Sequence, residues 1–200
     1  MREHRPTKDD LAGAYGRRVL DLVAPNLNIL FCGINPSLYS AATGHHFARP
    51  GNRFWPALYG AGFTDRLLKP WDEELLLESG LGITNLVSRA TTAASEISAQ
   101  ELRRGRQSLR RKVRRYLPRC VAVLGIGAYR LAFESPHAVP GKQGELLEAA
   151  TLWVLPNPSG LNANHQLADF VQAFEAVREF LTTPTPQSFI SADTGGSRSS

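Results

Sequence analysis

The tripeptide Asn-Pro-Ser occurs twice, at Asn35-Pro36-Ser37 and at Asn157-Pro158-Ser159. Proline removes a backbone donor and confines the residue before it to extended conformations, so each asparagine sits on a stiff turn. A stiff turn that presents an amide is suited to positioning. It is not suited to proton transfer, because an amide has no useful pKa near neutrality and cannot act as a base as a carboxylate does. A catalytic Asn35 would therefore orient a water molecule and leave the leaving group to depart largely unaided. One such tripeptide is an ordinary turn former. Two of them at strand ends on one edge of a parallel sheet point to a ligand site, because open α/β sheets bind ligands at that edge.

Other chemistries find less support. His45 and His46 are adjacent, and neighbouring residues rarely converge on one ion, so the pair reads as an exposed loop and no metal site is expected. Asp72, Glu73 and Glu74 read as the first turn and solvated face of a helix. Gly125-Ile126-Gly127 lacks the third glycine of a dinucleotide fingerprint. No Walker lysine and no Gly-x-Ser-x-Gly elbow occurs. The chain has two cysteines, Cys32 and Cys120, both in apolar runs. They read as buried reduced thiols, and two cannot hold an iron–sulfur cluster. No cofactor is implied.

The net charge of +5 is local. Nine basic residues and one acid lie between Glu101 and Arg119, so that segment carries +8 and the rest of the chain −3. Eight of the nine are arginine, whose planar fork suits phosphate. The segment reads either as a solvated helix face or as the footprint of a polyanion partner. No apolar run approaches the ~20 residues that span a bilayer, and Arg2 to Asp10 is too polar for a signal peptide. The expectation is a soluble protein without membrane or targeting segments, cytoplasmic and nucleoid-associated if bacterial.

Several elements must position the two loops. Thr7 to Val23 reads as a first helix, capped by Thr7. Asn28 to Gly33 is a continuous apolar run, as in a buried parallel strand. A long loop from Ile34 to Gly51 follows, then a helix capped by Asn52 that carries Phe54, Trp55, Leu58 and Tyr59. Asp72 to Glu78 reads as a short helix and Leu81 to Leu86 as a second strand. Ser98 and Glu101 form a capping-box pattern, so a helix starts at Ala99, with Leu102, Leu109, Val113 and Tyr116 on its apolar face. Cys120 to Leu124 is a third strand, followed by a helix to Phe133, a loop from Ser135 to Gly144 and a fourth strand at Leu152 to Leu155. A last helix covers Gln166 to Leu181. The expected fold is a three-layer α/β/α sandwich around a mainly parallel four-stranded sheet. Residues 1–181 form one domain, and 182–200 form a tail rich in Thr, Pro, Ser and Gly that is expected to be disordered.

Four segments read together carry a resemblance: Gly33 to Ser37, Thr43 to Pro50 (Thr-Gly-His-His-Phe-Ala-Arg-Pro), Asn52 to Trp55 (Asn-Arg-Phe-Trp) and Leu155 to Leu161 (Leu-Pro-Asn-Pro-Ser-Gly-Leu). Gly62 to Arg66, Gly82 to Thr84 and Leu86-Val87 add to it. The chain resembles the mismatch-specific uracil/thymine-DNA glycosylase family, of the uracil-DNA glycosylase superfamily, over about residues 24–181. That resemblance implies a monofunctional enzyme that flips a nucleotide out of double-stranded DNA and hydrolyses its N-glycosidic bond. The expected substrate is uracil, and ethenocytosine or related lesions, opposite guanine, at the start of base excision repair. The expected partner is DNA with a mismatched or damaged base, and the expected state a monomer.

By the same resemblance Asn35 positions the attacking water and Phe47 stacks on the flipped base. Ile34 and Phe47 offer backbone groups to the base edge, Ser40 lies near its C5 side, and Asn157 belongs to the base-binding set. Gly160 and Leu161 form the wedge and face the opposite strand, Leu161 being an apt intercalating side chain. Ser159 and Arg53 are expected at DNA phosphates. The sequence departs from the family pattern at Ser37, where a glycine is usual, at Ala163, where some relatives carry arginine, at Asn85, where a lysine is absent, and at His45-His46. Two other readings compete: a glycosylase of the iron–sulfur type, which the cysteine count opposes, and a non-catalytic mismatch-binding module of the same fold.

Overall fold

Strand β1 (Ile29–Gly33) is buried at every position, and its side chains divide by parity. Ile29 and Phe31 face one hydrophobic cluster, Leu30 and Cys32 the other. A strand apolar on both faces needs cover on both, and this requirement builds the molecule. The computed structural model describes residues 5–160 and 166–183.

The sheet has five strands in the order β2-β1-β3-β5-β4, with β2 at Leu81–Asn85, β3 at Cys120–Leu124, β4 at Gly141–Leu147 and β5 at Ala150–Leu155. The first four in that order run parallel, and β4 closes one edge antiparallel to β5. The expected four strands are thus corrected to five. Part of the Ser135 to Gly144 loop belongs to β4, which hydrophobicity does not mark because most of its side chains are exposed.

Helices α1 (Lys8–Ala12), α2 (Leu38–Thr43), α3 (Phe54–Gly60), α4 (Leu75–Glu78), α5 (Ala99–Tyr116), α6 (Ile126–Phe133) and α7 (Leu167–Thr182) complete the fold. On one face α5 and α6 cover Leu30, Cys32, Val121 and Val123 with Leu102, Leu109, Val113, Tyr129 and Phe133. On the other, α3, α4 and α7 cover Ile29, Phe31, Ile83 and Ala122 with Phe54, Leu58, Leu76, Phe170 and Phe174. This is the three-layer sandwich. Helix α5 starts where the capping box places it, Ser98 Oγ accepting from the Glu101 amide and Glu101 from the Ser98 amide. A Cβ at its Gly105 would come within 2.5 Å of the Leu86 carbonyl oxygen, so only glycine lets the helix lie this close to the end of β2.

Two other expectations are corrected. The helix proposed for Thr7 to Val23 stops at Ala12, and the chain turns at Gly16, whose φ is +74°. It then runs extended, bridging Arg18 to Arg89 and Leu22 to Ile83, because pairing beside β2 outweighs local helical periodicity. Within the supposed long loop, Ser37 caps α2, which ends at Gly44 in the left-handed conformation.

Candidate active site

All four parallel strands end on one edge, at Gly33, Asn85, Leu124 and Leu155. The segments that leave them meet around a cavity of about 100 Å3, lined among others by Ile34, Asn35, Ser40, Phe47, Asn85, Thr91, Asn157 and Ser159. The two Asn-Pro-Ser loops therefore converge, as expected from their place at strand ends. No carboxylate is among the described residues that line the cavity.

Asn35 is held by its nitrogen. Its Nδ2 donates to Thr91 Oγ1 at 2.7 Å and to the carbonyls of Arg89 and Pro36, each at 3.2 Å. Carbonyls only accept, so the nitrogen must face them and the amide cannot be turned over. Thr91 spends its own proton on the Ala93 carbonyl at 2.8 Å, which leaves its oxygen to accept. Asn35 Oδ1 receives no hydrogen bond from the described residues. The side chain is an acceptor fixed in direction. A further brace lies behind it: Glu101 grips the Arg89 guanidinium at 2.7 Å, joining the first turn of α5 to the carbonyl that holds Asn35. That contact, with the cap of α5, holds the Glu101 carboxyl down at about 2.

Phe47 has φ +51°, a left-handed conformation uncommon for an aromatic residue. One ring face stacks on Phe54, with centroids 4.2 Å apart and planes 24° from parallel, while the residue also lines the cavity. Its loop is tied down on both sides. Glu73 accepts from the His46 amide and meets His45 Nδ1, both at 2.9 Å. His46 Nε2 donates to the Leu20 carbonyl at 2.8 Å, and the Ala48 amide donates to Ser40 Oγ. His46 is buried, and burial lowers its pKa against the opposing pull of Glu73. The exposed histidine pair and the solvated Glu73 of the sequence reading are both corrected. The acid and the loop lie 27 residues apart, and their pairing becomes visible only in the fold.

The remaining residues divide into those that line the cavity and those that support it. Ile34 lines it, with its carbonyl engaged by the Val87 amide. Ser40 is buried and accepts from the Ser37 hydroxyl at 3.1 Å. Ser37, one of the departures, is the N-cap of α2, and this use accounts for its hydroxyl. Asn157 turns its Oδ1 onto the Ser159 amide at 3.1 Å. Arg53 lies under the second loop, donating to the Ser159 carbonyl at 2.6 Å with its guanidinium 4.6 Å from the centre of the Phe170 ring. Gly160 packs against Gly51, whose carbonyl oxygen would be 2.9 Å from a Cβ there. Leu161 and Ala163 lie outside the described residues.

Three contributors escaped sequence reasoning. Thr91 and Arg89 are reached only through the fold. Asn85 was noted only for the lysine it lacks, yet it lines the cavity nearly buried, with no side-chain hydrogen bond among the described residues. Neither cysteine takes part: burial pushes both thiols up to about 12. Among the described residues no group of three or more His, Cys, Asp or Glu is placed to hold a metal ion, and no helix is long and apolar enough to cross a membrane.

The sequence matches the family model of the Uracil DNA glycosylase superfamily over residues 20–181. This span takes in the whole sheet, both Asn-Pro-Ser loops and the cavity between them. The chain belongs to that superfamily, whose members are typically N-glycosyl hydrolases acting on uracil in DNA.

Proposed function

We propose that this member of the uracil DNA glycosylase superfamily is a monofunctional glycosylase that flips uracil out of mismatches with guanine and excises it. Ethenocytosine and related cytosine-derived lesions are further substrates. The observation that carries the reading is the Asn35 amide, locked by its nitrogen so that one acceptor oxygen remains, in a cavity whose described lining has no carboxylate.

The chemistry follows from what such a cavity lacks. With no carboxylate among the described lining residues to serve as base or nucleophile, bond breaking runs ahead of attack. The bond from C1′ of the sugar to the base nitrogen opens with its electron pair moving onto the base, and positive charge develops on the sugar. Asn35 Oδ1 accepts a hydrogen bond from a water molecule and holds it against C1′. The water oxygen bonds to that carbon, and its proton passes to the departing base or to solvent. Phe47, backed by Phe54, offers its other face to the flipped base, an arrangement aromatic rings favour. The Asn85 amide and the backbone groups of Ile34 and Phe47 read the base edge, and donors aimed at the leaving oxygen stabilise the charge that develops there. Ser40 closes the cavity on the C5 side. Asn157 and Ser159 shape the second loop, whose Gly160 and Leu161 enter the gap left by the flipped nucleotide. Ser159 touches a phosphate there, while Arg53 braces the loop from beneath.

A mispaired base costs less to unstack than a paired one, which favours G·U over A·U even before any contact with guanine. The test is excision from duplexes carrying uracil or ethenocytosine opposite guanine or adenine, and from single strands, read as strand scission after hot alkali. Scission at uracil opposite guanine, several-fold faster than opposite adenine, is expected. Binding without scission on every substrate would make the protein a mismatch-binding module instead. Equal rates opposite guanine and adenine would remove the mismatch preference and leave the glycosylase.

A further inference from the structure

The arginines of α5 do not all serve the fold. Arg106 lies over the Phe133 ring, Arg110 pairs with Glu148 at 2.6 Å, and Lys112 pairs with Asp21 at 2.6 Å while donating to Thr84. Those acids are thereby spent, as Glu101 is on Arg89. Arg103, Arg104, Arg111, Arg114 and Arg115 are exposed, and none makes an ion pair among the described residues. Arg114 feels Glu148 only at a distance, and Arg115 lies 5.3 Å over the ring of its neighbour Tyr116.

Helical geometry makes three of the five a straight row. At 3.6 residues per turn, Arg104, Arg111 and Arg115 fall within about 40° of one another around the axis and span about 16 Å along it. Arg103 and Arg114 flank the row on one side. A duplex strand presents a phosphate about every 3.4 Å of its axis, so the row faces several charges of one backbone at once. Arginine, rather than lysine, at all five positions fits forked contact with phosphate oxygens.

The row also runs away from the cavity. The first turn of α5 touches Arg89 beside Asn35, whereas the Tyr116 carbonyl accepts from the Asn26 amide, ahead of β1 and at the opposite edge of the sheet. The helix thus descends the flank of the molecule from the catalytic edge. Arg111, Arg114 and Arg115 lie about 18 to 24 Å along α5 from Ala99, at a distance from any duplex engaged at the cavity edge.

We infer that the exposed face of α5 is a second DNA site, which grips the phosphate backbone of a neighbouring duplex segment while the cavity is engaged with another. The inference rests on DNA being the polymer this protein acts on, and not on which base it removes. Holding two segments would let the protein pass between stretches of DNA without full release, which suits a search for rare lesions.

The experiment uses two short duplexes, one containing uracil and one undamaged, carrying donor and acceptor dyes. The full chain should bring them together and give energy transfer. Arg104→Gln, Arg111→Gln and Arg115→Gln in one protein should abolish the transfer and leave single-turnover excision at saturating enzyme unchanged. The slope of log affinity for undamaged duplex against log salt should fall by about 2 to 3, while the three lysine replacements keep most of it. The single reversal Arg111→Glu serves if the triple variant melts early. Transfer that persists in both variants, or is absent from the unmodified protein, overturns the inference. So does displacement of DNA from the row by polyglutamate at lower charge concentration than by competitor duplex, which would assign the face to an acidic protein. If excision is absent but transfer follows the arginines, the glycosylase reading fails and the second site stands.

Discussion

The two Asn-Pro-Ser loops share a tripeptide and a sheet edge, yet their amides are used in opposite senses. Asn35 spends its nitrogen inward, on one hydroxyl and two carbonyls, and keeps its oxygen. Asn157 spends its oxygen on the amide two residues ahead, in an Asx turn that shapes its own loop. The difference comes from what surrounds each loop. Around Asn35, the segment after β2 supplies Arg89 and Thr91, and Thr91 bridges to Ser37 in parallel. The second loop rests on Arg53 and Gly51. Identical local sequence is thus set to different tasks by tertiary neighbours. In the proposed mechanism one loop is a chemical device and the other a mechanical one.

That contrast can be broken most directly at Asn35. Replacing it with alanine should slow single-turnover excision on the order of 10²- to 10³-fold, the scale of one lost positioning or charge-stabilising group, with DNA affinity nearly unchanged. An equal loss of chemistry in Asn157→Ala would abolish the distinction. Thr91→Val keeps the shape but removes the acceptor that fixes the Asn35 amide. It should lower the excision rate about tenfold, the worth of one hydrogen bond of ~1.4 kcal/mol, with KM unchanged. A raised KM at full rate would mean that Thr91 serves binding instead.

Asn157→Ala should loosen its loop by about 1 kcal/mol and weaken duplex binding more than it slows the chemical step. Separate measurement of Kd and single-turnover rate decides this. The smallest effect concerns the loop that carries Phe47. His46 is buried with its pKa lowered, so its neutral form belongs to the fold. Stability should be flat above the ordinary imidazole value of 6.5 and decline as pH falls below it towards the lowered value. Melting temperature against pH shows this, and His46→Gln should flatten the acid side.

What could be read beforehand follows a physical pattern. Helix α5 was legible to the residue because Ser98 and Glu101 cap it locally and its apolar positions recur at helical spacing. The central strands were legible because burial on both faces demands unbroken apolar runs. Strand β4 was hidden because most of its side chains are exposed and its pairing breaks register between Lys142 and Leu146. The segment from Gly13 to Val23 was misread because its conformation answers to Ile83 and Arg89, far along the chain. The site divides in the same way. Asn35 and Phe47 stand in recognisable motifs, while Thr91, Glu73 and Arg89 act through partners 27 to 56 residues distant, which no local pattern encodes.

Gly33 ends β1 where the Asn85 side chain begins to line the cavity. A Cβ on Gly33 would stand 2.5 Å from Asn85 Oδ1 and 3.5 Å from the Phe47 ring. A side chain at 33 therefore requires Asn85 to turn aside, whereas residue 85 can change while 33 stays glycine. A lineage that acquired alanine at 33 would first need a shorter or differently turned residue at 85, and a bulkier reader at 85 is accessible only while 33 stays glycine. Under the proposed role of Asn85, glycine at 33 is what leaves residue 85, and substrate range with it, open to change.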